Sequence, residues 1–104
     1  MQKVIVTGAN GFIGSHLVKR LDELDVNVIA LVDPRFDYAS IKGLANVIIV
    51  DFALQTIERL YSDDRLKDAD IVYHFAWAGA HASFRNNEDE QLQNIKYCLD
   101  VLKL

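Results

Sequence analysis

Three glycines stand at fixed spacing in Thr7-Gly8-Ala9-Asn10-Gly11-Phe12-Ile13-Gly14, where a β-branched run gives way to helical periodicity, and few folds can use that arrangement. Upstream, Lys3 to Val6 (KVIV) is apolar at consecutive positions, the pattern of a strand buried on both faces. Downstream, Ile13, Leu17, Leu21 and Leu24 recur at helical spacing, with Lys19 and Arg20 toward the C-terminal end, where the helix dipole favours cations. The chain must therefore turn from strand to helix within very few residues. Gly8 permits the tight turn, and Gly14 removes the Cβ that would hold the helix off the sheet. Gly11 leaves the helix start open, where the N–H groups around Phe12 and Ile13 point outward and the dipole favours negative charge.

The rest of the chain repeats the alternation. Val26 to Val32 (VNVIALV) reads as a second strand, closed by Asp33-Pro34 because proline cannot continue a central ladder. Val47 to Val50 (VIIV) is a third strand, Leu54 to Tyr61 a helix, and Ile71 to Phe75 (IVYHF) a fourth strand before the small-residue stretch Ala76 to Ala82. Asp89 to Leu104 reads as a last helix, with Leu92, Ile95, Leu99 and Leu102 on one side and Tyr97, Val101 and Leu104 on a neighbouring one. Strands separated by helices cannot form hairpins, so the sheet should be parallel with right-handed crossovers, helices on both faces and strand order 3-2-1-4. Residues 33–46, with Gly43, form the one long irregular connection expected.

Composition narrows the function classes. At 104 residues, 51% hydrophobic and 25% charged, the chain is one compact domain or part of one. The net charge of −4 comes without a basic stripe, which argues against nucleic acid and anionic membranes as partners. A single cysteine, Cys98, has no internal disulfide partner, and no apolar stretch approaches membrane-spanning length, so a cytoplasmic location is expected.

Asp33 ends the second strand about 20 residues after the glycines, as the dinucleotide-binding fingerprint requires. The expected fold class is therefore α/β of Rossmann type. The exact spacing, T-G-x-x-G-x-x-G, resembles the extended short-chain dehydrogenase/reductase family, the group of nucleotide-sugar epimerases and dehydratases. Three further segments match at the distances that the resemblance implies. Val50-Asp51-Phe52 resembles the adenine site, where the Asp51 side chain and the Phe52 backbone would meet the base edge. His74-Phe75-Ala76-Trp77 is similar to the family's H-x-A-x segment beneath the pyrophosphate and nicotinamide ribose, and Asn94-Ile95 resembles its N-V pair. Tyr97 stands where many members have glycine.

The carboxylate of Asp33 suits the free ribose hydroxyls of NAD and repels a 2′-phosphate, whereas Arg35 can swing toward one, so NAD is expected and NADP is the alternative. The resemblance implies a catalytic Ser/Thr and a Tyr-x-x-x-Lys pair, the lysine lowering the pKa of a proton-transferring tyrosine. Tyr61 is followed four positions on by Arg65 and Tyr97 by Val101; only Tyr38 and Lys42 have the spacing, and they lie in the loop after strand two, at the adenosine end. No catalytic residue is therefore assigned, and the expectation is a partial domain, residues 1–104, whose catalytic and substrate-binding half lies beyond Leu104. An unpaired edge on strand four and the two-sided last helix predict self-association. His74 reads as structural, His16 and His81 as surface residues and Cys98 as packing, with no metal cluster. The function expected is the cofactor-binding portion of a nucleotide-sugar epimerase or dehydratase, inactive alone; the alternative is a non-catalytic dinucleotide sensor.

Overall fold

The computed structural model describes residues 2–76 of the chain. Four strands, β1 (Lys3–Thr7), β2 (Asn27–Val32), β3 (Val47–Asp51) and β4 (Ile71–His74), form one parallel sheet in the order β3-β2-β1-β4. Register runs Val4↔Val28 and Val4↔Ile71 about the central β1, and Val32↔Asp51 at the far end of β2 and β3. Both the order and the parallel sense agree with the expectation from alternating elements.

Consecutive apolar residues in β1 and β2 serve two cores. Ile5, Ile29 and Leu31 point to one face, where they pack with Val50, Phe52, Ile57, Leu60 and Leu66. Val4, Val6, Val28, Ala30 and Val32 point to the other, against Val18 and Ile41. Burying each such side chain contributes about 1.5–3 kcal/mol relative to exposure, so these two strands, buried on both sides, dominate stability. The edge strand β3 contributes less: Ile48 is exposed.

The helix α1 (Phe12–Glu23) covers the second of these faces with the middle of the stripe its periodicity suggests, Leu17 and Leu21 packing against that core, but not with its ends. Gly14 and Val18 are its buried residues, whereas Ile13 and Leu24 are exposed. The backbones of Gly14 and Gly8 approach so closely that a Cβ on Gly14 would clash, which sets the rotation of α1 and leaves Ile13 exposed. Leu24 caps the helix where the chain leaves through Asp25 at φ 58°.

Under the opposite face, the segment expected as a helix from Leu54 to Tyr61 is a 3₁₀ helix, Leu54–Leu60, followed by a 3₁₀ turn, Asp64–Leu66. A three-residue period places Ile57 and Leu60 on the same side, and both are buried against the sheet. The run from 33 to 46 holds no strand or helix, as expected. It is pinned by fully buried Ile41 and by Asn46, whose N–H donates to Asp22 Oδ1 (2.9 Å). Among the described residues no helix is long and apolar enough to cross a membrane.

Candidate functional site

The parallel strands all end on the same side, and β1 is the strand at which the direction of crossover reverses, β2 lying to one side and β4 to the other. Ligands of open α/β sheets bind outside the carboxyl ends at such a switch point. The glycine turn occupies that place. Gly8 has φ +65°, a left-handed conformation that side chains disfavour, and a Cβ there would stand 2.7 Å from Ala76 N and 2.8 Å from Phe75 C. Gly11 is the N-cap of α1 with extended backbone, and no side chain caps the helix. Ser15 N–H is the first to bond back, to Gly11 O (2.9 Å), so the amides of Phe12, Ile13 and Gly14 lie at the helix mouth ahead of it. Around them Phe12 is 81% exposed and Ile13 and Phe36 are each 63% exposed. Uncapped backbone donors at a helix start suit an anion. A Cβ on Gly11 would meet Gly8 O at 3.3 Å and would narrow the same opening.

At the end of β2 the Asp33 carboxylate is held by Arg35 through Nε (3.0 and 3.1 Å) and Nη2 (2.7 Å), and Arg35 N–H donates to Asp33 Oδ1 (3.0 Å). The bond from the Arg35 guanidinium holds the Asp33 carboxyl below its ordinary range, so it is an anion at neutral pH. Arg35 itself extends into solvent over the Phe36 ring (5.6 Å). Asn10 faces inward from the glycine turn: its Oδ1 accepts from Asp33 N–H (3.2 Å), and its Nδ2 donates to Asp33 O (2.9 Å) and Phe36 O (3.3 Å).

Across β1, Thr7 is fully buried and organises the start of the segment after β4. Its Oγ1 accepts from the N–H groups of Phe75 and Ala76 (3.1 Å each), which leaves its own proton to donate to His74 Nδ1 at 2.6 Å. His74 Nδ1 is thus an acceptor and the ring proton sits on Nε2, an atom buried without a hydrogen-bond partner among the described residues. Burial lowers the His74 pKa, in keeping with a neutral, structural ring rather than an acid or base.

Asp51 ends β3 and lines an open cavity of about 530 Å³ together with Tyr38, Lys42 and Arg65. The Tyr38/Lys42 pair, distinctive by spacing in the sequence, therefore lies beside Asp51 rather than at the glycine turn. Phe52 N–H donates to Val32 O (2.9 Å) and its ring is buried. Gly8, Asn10, Gly11, Phe12, Ile13, Gly14, Asp33, Arg35, Asp51, Phe52, Phe75 and Ala76 thus gather at one end of the sheet; Trp77, Asn94 and the last helix lie outside the described residues. Sequence reasoning counted Thr7 in the T-G-x-x-G-x-x-G pattern but gave its hydroxyl no role, because nothing in the spacing pairs it with residues 74–76. Among the described residues no cluster could hold a metal ion.

A family model for the NAD dependent epimerase/dehydratase family matches residues 4–104. Among solved structures, the chain is similar to the epimerase Mth375 from the methanogen Methanothermobacter thermautotrophicus, with 29% identity over 98% of this chain and 31% of that one, at a TM-score of 0.75. It is also similar to MoeE5 in complex with UDP-glucose and NAD, with 30% identity over 88% of this chain and 28% of that one, at 0.65. A UDP-glucose-4-epimerase from Stenotrophomonas maltophila with bound NAD shares the fold at 22% identity, over 98% and 32%, with a TM-score of 0.76. The chain spans about a third of the length of these proteins.

Proposed function

Because the chain belongs to the NAD-dependent epimerase/dehydratase family, we propose that it is the NAD-holding part of an enzyme that acts on a nucleotide sugar. The observation that carries this reading is the helix start without a side-chain cap, which Gly8, Gly11 and Gly14 keep open. In this reading the Phe12, Ile13 and Gly14 amides hold the diphosphate, Asp33 accepts from the adenine-side ribose hydroxyls, and Asp51, accepting from the adenine amino group, meets the base edge beside the Phe52 backbone. Phe75 and Ala76, fixed by Thr7, form the floor toward the nicotinamide. Bound NAD supplies a hydride acceptor and donor. The chain's own contribution is to bind and orient it, and proton transfer falls to a Ser/Thr and a Tyr-x-x-x-Lys pair outside these 104 residues.

Support for a nucleotide sugar as substrate comes from the relative solved with UDP-glucose and NAD. NAD over NADP rests on the anionic Asp33. Calorimetric titration of the chain with NAD and NADP tests the reading: saturable NAD binding with weaker NADP binding is expected. Loss of NAD binding is expected on Gly11→Ala. A folded chain that binds neither dinucleotide overturns the proposal.

A further inference from the structure

We propose that Asn10 is a positioning residue that fastens Asp33 to the phosphate cradle and thereby sets the preference for NAD over NADP; this rests on the dinucleotide reading above. Asn10 lies in the middle of the glycine turn, where a side chain is expected to face a ligand or solvent. Its amide instead binds both backbone groups of a single residue: Oδ1 accepts from Asp33 N–H at 3.2 Å while Nδ2 donates to Asp33 O at 2.9 Å. That pairing copies what a neighbouring strand would offer, at the point where β2 has left the sheet, since Val32 is its last residue. A third bond, from Nδ2 to Phe36 O at 3.3 Å, closes the turn that carries Arg35. With its donors and acceptor so used, Asn10 has no amide hydrogen bond to spare on a diphosphate without releasing Asp33.

The consequence for recognition follows from charge. Asp33 discriminates against a 2′-phosphate only while its carboxylate stays where the ribose hydroxyls arrive. Asp33 side-chain direction is set by its backbone, and Asn10 fixes that backbone from 23 positions away in sequence. Without the clamp, Asp33 and its partner Arg35, which is largely exposed, are free to withdraw together, and a phosphate then meets less repulsion and a nearer cation. Asn10 also joins the diphosphate-holding turn to the ribose-reading residue, so that the two act as one receptor.

Titrations of the chain and its Asn10→Ala, Asp33→Ala and double variants with NAD and NADP, alongside thermal unfolding, test this. Asn10→Ala should weaken NAD binding by about tenfold, the effect of losing roughly one net hydrogen bond's worth of placement, and weaken NADP binding less, so that the NAD/NADP affinity ratio falls. In the Asp33→Ala background the same change should alter NAD affinity by less than about twofold. Asn10→Leu, which keeps the volume but adds no charge and makes none of the three bonds, should lower the ratio in the same direction and serves where the alanine variant does not fold. An unchanged NAD/NADP ratio, or an equal loss of NAD affinity with and without Asp33, overturns the proposal. A folded parent chain that binds neither dinucleotide overturns the cofactor reading itself, a separate outcome visible before any variant is made.

Discussion

Replacing Gly14 by alanine tests whether backbone contact between α1 and the glycine turn holds the site together. A Cβ built on Gly14 falls inside the van der Waals envelope of the Gly8 carbonyl oxygen and stands 3.0 Å from Gly8 C and 3.1 Å from Ala9 Cα. The turn cannot yield cheaply, because Gly8 O accepts from Gly11 N (3.0 Å) and Ala9 N donates to Leu31 O (3.1 Å). Relief requires α1 to rise by about 1 Å to reach ordinary contact, and that movement lifts fully buried Val18 from its core. Overpacking of this kind costs about 1–3 kcal/mol, while exchanging glycine for alanine inside a helix returns up to about 1 kcal/mol, so a net loss of about 1–2 kcal/mol is expected. Gly11→Ala is the control. Its Cβ meets a single atom, Gly8 O at 3.3 Å, from a backbone of φ −78°, so stability should fall by less than about 1 kcal/mol while dinucleotide binding is lost. Urea unfolding followed by circular dichroism, with m-values compared, separates the two. A Gly14→Ala chain as stable as the parent, or less destabilised than Gly11→Ala, refutes the reasoning.

Other perturbations have definite outcomes. Thr7→Val leaves the Phe75 and Ala76 amides and His74 Nδ1 without the bonds that Oγ1 makes, and should cost about 2–3 kcal/mol in urea unfolding; Thr7→Ser, which keeps the hydroxyl, should stay within about 1 kcal/mol of the parent. Arg35→Ala removes an exposed, solvent-screened ion pair and should leave the urea unfolding midpoint nearly unchanged, while titrations show the NAD/NADP affinity ratio rising because the cation beside Asp33 is gone. The Arg65 side chain holds the Asp63 carboxyl down at about 2, from its ordinary 3.8. Its contribution is therefore complete above pH 4 and is lost as pH falls toward 2, and Asp63→Asn should flatten that part of the acid unfolding profile. His74, lowered by burial, favours its neutral form, so unfolding midpoints should decline as pH falls below about 6.5 and through its lowered value, and His74→Gln should remove that decline.

Much of this architecture is legible in the residues alone, for identifiable reasons. Uninterrupted apolar runs in β1 and β2 mark strands buried on both faces, and their separation by helical spacing leaves the parallel order β3-β2-β1-β4 as the economical arrangement. The glycine turn is equally visible because its demands are steric: positive φ at Gly8 and backbone contact at Gly14. The rotation of α1 is less so, since periodicity detects apolar residues but not the backbone approach that makes Gly14 and Val18 the buried line and leaves Ile13 outside. Likewise, Leu54–Leu60 carries an apolar spacing compatible with either helix type, and its pairing of Ile57 with Leu60 under the sheet accompanies the 3₁₀ form. Hydrogen bonds between distant residues, such as Asn10 to Asp33 and Thr7 to His74, leave no periodic trace at all.

Gly14 resting on the carbonyl of Gly8 also means that the first crossover has no slack along the helix axis. The helix start at Gly11 is a fixed gauge, unable to widen or tighten. Accommodation therefore falls to the irregular run between β2 and β3, where Gly43 stands at φ +83° and an added Cβ would meet open space. Changes of length or composition placed there can retune the end of the site near Asp33 and Asp51 while the glycine turn keeps its dimensions.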